Sequence, residues 1–423
     1  MSPVSRPLPR REVLPNGLVL LTNVLADRDA AASGSVCVRG SFPAGACLDL
    51  PGREGLAGFV GRLVRRGTVH RTAQEISAAV EDIGASFGFW AGTEGAGFSA
   101  KCLARHLPAV LGLLQDVAEN PVFPDDDLEK TRDEILSHLR EQEDSPRVRA
   151  DRALRTRLYA AEHPYARNSE GTPESIRAIT RPDCVAFHAA HYGADRLLLS
   201  VVGDFDAAQV REQAAGWRRG PARGPAPGIE AHKVTDSTGE PIRIPMPHKS
   251  QATLLLGAGG VPFRHPDYYA LSLIGLILGG IGLMGRLGER LREQEGVVYG
   301  VGARAQAHLW GGEWVVSAGV RPEHVERARS LILEEIARVL REPVSDEEWD
   351  DAVEHQVGSL PLRLETNDGL AGFLLNWEYY GLGLDYLDRY PDLLRAETPA
   401  RLQQAAQRYL DPEAFHTIIA GPV

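Results

Sequence analysis

Apolar residues recur along residues 55–68, GLAGFVGRLVRRGT, at the period of a helix. Leu56, Phe59, Val60, Leu63 and Val64 fall at i, i+3, i+4, i+7 and i+8, so they line one face. Gly58 and Gly61 interrupt that helix, each weakening it by about 1 kcal/mol relative to alanine. Upstream, LVLLTN (18–23) and SVCVRG (35–40) are apolar and β-branched, which predicts strands. Downstream, TAQEISAAVEDIG (72–84) opens on a capping box, Thr72 with Glu75, and carries Ile76, Ala79, Val80 and Ile83 on one face. PDDDLEKTRDEILSHLREQED starts acidic and then aligns Leu128, Ile135, Leu136 and Leu139, which predicts another helix.

The pattern repeats with a long period. FSAKCLARHLPAVLGLL resembles VSAGVRPEHVERARSLIL, with Ser99, Ala100 and His106 matching Ser317, Ala318 and His324 at an offset of 218. ENPVFPDDDLEK resembles REPVSDEEWDDA, and Pro182 and Tyr192 match Pro399 and Tyr409 at an offset of 217. Three matches in one order at nearly one offset make two homologous halves. The expected division is 1–217, a Pro/Gly/Arg-rich linker over 218–240, and 241–423. Strands mixed with packed helices make each half α+β: an α/β roll of a mostly antiparallel sheet with helices on one face.

Composition narrows the function. Of 423 residues, 43% are hydrophobic and 24% charged, as in ordinary soluble globular proteins. A net charge of −11 argues against nucleic acid as a partner. The longest apolar run, ALSLIGLILGGIGLMG, is broken by glycines and too short for a membrane span. The N-terminus has no apolar signal-peptide core, so a cytoplasmic location is expected. Cys37, Cys47, Cys102 and Cys184 form no CxxC pair and read as free thiols in a reducing compartment.

The order PNGLVLL, VRGS, GLAGFVGRLVRRGT, NPVF, HPYARNSEGTPESI and HYGADRLLLSVVGDF resembles the insulinase/pitrilysin family of inverted-motif zinc peptidases, in its short-chain, mitochondrial-processing-peptidase-like branch. In active members the corresponding helix reads roughly GLAHxxEHxxFxGT. Two histidines one turn apart and a distal glutamate bind zinc, and the intervening glutamate is the general base. Anchored on GLA and GT, the first histidine falls on Gly58, the base on Gly61 and the second histidine on Arg62. The distal glutamate falls on His138 and a supporting glutamate on Thr131. The resemblance therefore implies a metal-site helix without its site, and no cofactor in this chain.

The resemblance also implies roles for the second half. Two-half members use an arginine and a tyrosine seven residues apart to bind the substrate carbonyl, and RLREQEGVVYGV offers Arg292 and Tyr299 at that spacing. Some bacterial members divide the work between a zinc-bearing chain and one that donates this pair. The expected protein is the second kind: a non-catalytic subunit of a heterodimeric peptidase, enclosing peptides in a clamshell with a zinc-bearing paralogue. The alternatives are an inactive scaffold and a peptide-binding homodimer. In processing-peptidase relatives a glycine-rich loop guides substrate, and Gly279, Gly280 and Gly282 resemble it. The plainer reading of the same segment is a loop between packed helices. His188 and His191, three apart, read as core or surface histidines, and residues 84–100 as an ordinary sheet element.

Overall fold

The computed structural model describes residues 8–25, 34–221, 240–280 and 285–423. Most of the expected linker and Gly282 lie outside these. The chain forms two compact units. The first is built on six strands: β1 (Arg10–Val13), β2 (Val19–Val24), β3 (Ser35–Phe42), β4 (Ser86–Ala91), β5 (Ala96–Leu103) and β6 (Leu198–Gly203). They lie in the order β1-β2-β6-β3-β5-β4, and only β2 and β6 run parallel. The second is built on β7 (Ile242–Pro245), β8 (Ala252–Gly259), β9 (Val298–Ala307), β10 (Gly312–Val320) and β11 (His416–Gly421). Their order is β7-β11-β8-β10-β9, and only β7 and β11 run parallel.

Without the extra edge strand β1, the two orders are the same. The offset seen in the sequence is thus an offset in topology. Leu107 and Val325 open equivalent helices, and Leu198 and His416 open equivalent strands, each pair 218 residues apart.

Alternation along the strands decides which side is core. In β3, Val36, Val38 and Phe42 pack with Phe59, Val60, Leu114 and Val117. In β8 and β10, Leu254, Leu256, Trp314 and Val316 pack with Ile274, Leu331 and Ile332. The helices behind these faces begin where caps were expected. Thr72 Oγ1 accepts from the Glu75 N–H at 3.2 Å, and a Glu75 carboxylate oxygen accepts from the Thr72 N–H at 2.8 Å. All four cysteines are buried and unpaired. Burial pushes the Cys47 and Cys184 thiols up to about 12.

The opposite face of each sheet carries one more helix, and here the sequence halves exchange pieces. Helix Asn367–Tyr380 belongs to the first unit. Arg39 Nε and NH2 donate to Asp368 at 2.8 and 2.6 Å, Asn367 donates to the Ser35 carbonyl at 2.7 Å, and Arg11 pairs with Glu378 at 2.7 Å. Helix Pro146–Leu158 belongs to the second unit, where Ala150, Leu154 and Leu158 pack with Leu255, Val315 and Ile418. These helices occupy equivalent places in the repeat, each after a long acid-started helix, Asp125–Glu143 or Asp346–Leu364. The units are therefore 1–139, 168–227 and 360–386, and 140–167, 228–359 and 387–423. They do not coincide with the segments 1–217 and 241–423, because each of these helices buries its apolar stripe on the sheet of the other half.

Candidate functional site

The helix carrying positions 58, 61 and 62 spans Leu56–Leu63. Gly55 before it is left-handed, at φ 92°. The buried Asp49 carboxylate accepts from the Gly55 N–H at 2.7 Å and the Ala57 N–H at 2.8 Å, which seals the helix start. The two glycines differ in surroundings. A Cβ at Gly58 would meet nothing nearer than the Ser169 carbonyl at 4.0 Å. A Cβ at Gly61 would stand 3.0 Å from Ala91 Cβ in β4. In the second unit, a Cβ at Gly279 would stand 2.7 Å from the Ala303 nitrogen in β9, the strand equivalent to β4. Gly61 and Gly279 are 218 residues apart, so both repeats let this helix touch its edge strand through a glycine.

The other motif positions offer no ligand set. Arg62 is half-buried and makes no hydrogen bond or ion pair with the described residues. Thr131 is fully buried in helix Asp125–Glu143, and its hydroxyl has no hydrogen-bond partner among the described residues. His138 is 44% exposed, with Nε2 3.4 Å from a Glu170 carboxylate oxygen. Among the described residues no group of three His, Cys, Asp or Glu side chains is placed to hold a metal ion. Two glycines supply no donor atom, and a fixed guanidinium repels a dication, so these residues do not fit zinc.

The second-half pair sits at the edge of the other sheet. Arg292 lies in the wide helical turn Glu289–Gln294, which packs on β9. Three arginines occur in this run, and their partners separate them. Arg286 Nε and NH2 donate to Glu348 at 2.5 and 2.7 Å. Arg290 pairs with Glu334 and Glu335. Among the described residues Arg292 has only Glu293, at 4.0 Å. Tyr299 is 54% exposed on β9. In the β9–β10 ladder Gly300 faces Gly319 and Val298 faces Val320, so Tyr299 is the extra residue of a β-bulge. Bulges re-aim side chains and leave them outside the ladder. No such irregularity occurs between β4 and β5 in the first unit.

The Arg286 pair anchors this turn and carries a pH signature. The guanidinium hydrogen bonds hold the Glu348 carboxyl down at about 2. An unfolded glutamate titrates near ~4.3. A depressed folded value means the contribution is complete above that pH and is lost as pH falls toward 2. Melting temperature should therefore fall through this acid window in the wild type, and Glu348→Gln should flatten the fall while lowering stability at neutral pH. A parallel acid slope in both proteins would contradict the assignment.

Among the remaining candidates, Gly279 is buried against β9 and Gly280 is exposed beside Leu276. His188 Nε2 bonds the Ala118 carbonyl at 2.8 Å, and burial pushes this imidazole down to about 4. It is a neutral core histidine. No described helix is long and apolar enough to cross a membrane. The least legible site lies in the second unit. Glu313, 4% exposed in β10, accepts from the Tyr159 hydroxyl, with His308 Nε2 at 3.6 Å and Arg155 NH2 at 3.7 Å. Nothing local in GGEWVVSAG marks that glutamate, since Tyr159 is 154 residues away.

Residues 25–170 match the family described as insulinase (peptidase family M16), and residues 178–355 the family described as peptidase M16 inactive domain. An uncharacterized zinc protease of Rickettsia bellii is 26% identical over 349 residues, 80% of each chain. One of Mycobacterium leprae is 28% identical over 363 residues, covering 85% of this chain and 79% of that one. A solved peptidase M16 inactive domain from Pseudomonas fluorescens shares 27% identity with a TM-score of 0.87 over 98% of both chains. A protease from Helicobacter pylori, at 19% identity, shares the fold with a TM-score of 0.89 over 98% of this chain and 100% of that one. Two family matches covering both halves, the duplicated α+β fold and the aligned motif helix agree: the chain belongs to the M16 insulinase family of peptidases.

Proposed function

We propose that this chain is a non-catalytic M16 subunit that lends Arg292 and Tyr299 to the active site of a zinc-bearing partner of the same family. One observation carries the reading. Of three neighbouring arginines, two are tied into strong ion pairs, while the third has only Glu293 at 4.0 Å among the described residues, and the tyrosine seven residues after it is bulged and exposed. A guanidinium in the turn before an edge strand and a phenol at its start are donors with no hydrogen-bond partner among the described residues. Aimed at a peptide carbonyl, they stabilise the negative charge that grows on its oxygen as water adds. The motif helix supports the division of labour, because its ligand and base positions are Gly58, Gly61 and Arg62. Zinc belongs to the partner in this reading, and unstructured peptides are the substrate.

The test begins with gentle purification from native cells and identification of a stoichiometric relative carrying H-x-x-E-H. Chelator-sensitive cleavage of an unstructured peptide should appear in the complex and be absent from this chain alone. Arg292→Ala should then lower kcat of the complex roughly ten-fold or more, one charged donor being worth about 1.5–3 kcal/mol. Unchanged turnover would remove the proposed role. A lone homodimer that binds peptide without cleaving it would replace it with a binding function.

A further inference from the structure

Strand β9 itself carries a cation, Arg304, that has no ion pair among the described residues. Its register sets Gly300, Gly302, Arg304 and Gln306 opposite Gly319, Ser317, Val315 and Glu313, all on one face. The alternate residues Val301, Ala303 and Ala305 turn into the second core. Arg304 is exposed, and among the described residues its guanidinium makes one hydrogen bond, from Nε to the Gln306 side-chain oxygen at 3.4 Å. The carboxylate on that face cannot neutralise it, because Glu313 is engaged by Tyr159, His308 and Arg155. β9 is also the last strand of its sheet, so among the described residues one side of its backbone has no neighbouring strand. Nearer the Tyr299 end the face is open: nothing lies within 4 Å of a Cβ built on Gly300, while one on Gly302 would meet the Gly279 carbonyl at 3.5 Å.

We infer that Arg304 sets the register of an extended peptide along β9 by pairing with a carboxylate on that peptide. The inference rests on the peptide-cleavage reading above and deepens it by naming the substrate class, unstructured acidic peptides. Backbone bonding to an edge strand is sequence-blind, and side-chain contacts make it selective. Five positions separate Tyr299 from Arg304, roughly 17 Å along the strand. A carboxylate about that far from the carbonyl held at Arg292 and Tyr299 would seat that bond and no other. Guanidinium and carboxylate match as a two-bond fork, which fixes position as well as affinity.

The purified full chain is enough for the test. Fluorescein-labelled Gly/Ser/Ala peptides with amidated C-termini would carry one glutamate, moved position by position, with glutamine counterparts. Fluorescence anisotropy at low salt should show one glutamate position binding about tenfold tighter than its glutamine counterpart. Arg304→Gln should abolish that ratio with an unchanged circular dichroism spectrum, and Arg304→Lys should restore part of it. Peptides ending in a free carboxylate at the same position distinguish a C-terminal from a side-chain source. Equal binding of glutamate and glutamine peptides throughout, a preference that survives Arg304→Gln, or no measurable binding would overturn the inference. The outcome is separable from the subunit reading, which fails on the turnover of the Arg292→Ala complex.

Discussion

Replacing Glu313 by alanine is expected to destabilise the second unit by about 3 kcal/mol, the scale seen when one partner of a buried ion pair is removed. Burial alone would push this carboxyl up, but His308, Arg155 and Tyr159 outweigh it and hold the group below the usual carboxylate range. It is therefore charged at neutral pH, inside the sheet. Alanine would remove the acceptor of the Tyr159 hydroxyl, on a residue 3% exposed, and the carboxylate that faces the Arg155 charge. Both groups lie on the exchanged segment, so the damage should concentrate there. Denaturant titration would give the loss, and hydrogen exchange should show residues 146–158 opening first. Glu313→Gln keeps an acceptor and should cost less. A loss under about 1 kcal/mol for alanine would show that the cluster is not a structural anchor.

The two glycines of the motif helix should respond with opposite signs. Gly58→Ala fills open space in a helix interior and should stabilise by up to about 1 kcal/mol. Gly61→Glu, the change that would restore the general base, should destabilise by about 2–3 kcal/mol or more. It must push a Cβ into Ala91 at 3.0 Å and place a carboxylate at a buried position. Thermal melts of the two variants side by side would decide. If Gly61→Glu were tolerated as well as Gly58→Ala, β4 would not be closed against this helix.

How far the sequence could be read depends on the range of the interaction. The helix stripe at 55–68, the Thr72 capping box and the duplication are local or periodic signals. They appeared where expected, although the stripe continues past Leu63, where the helix ends in a turn. The family resemblance likewise rested on short aligned segments. Amphipathicity, by contrast, says that a face is buried and not what covers it. The exchange of helices Pro146–Leu158 and Asn367–Tyr380 was therefore invisible, and the unit boundaries with it. The arginine run shows the same limit. Arg286, Arg290 and Arg292 look alike in the chain, and only the distant Glu334, Glu335 and Glu348 tell them apart. The bulge at Tyr299 follows from the pairing partner of β9, which the sequence of β9 does not contain.

The exchanged helices also constrain synthesis. When β6 leaves the ribosome, every strand of the first sheet has been made, yet the helix that covers Cys37 and Arg39 has not. At about 5–20 residues per second, the chain waits on the order of ten seconds or more for residues 367–380. During that wait the nascent sheet presents a bare face to the cell. A shortened transcript ending near residue 360 would leave it bare permanently, and its product would be a substrate for chaperones and proteases rather than a half-sized subunit.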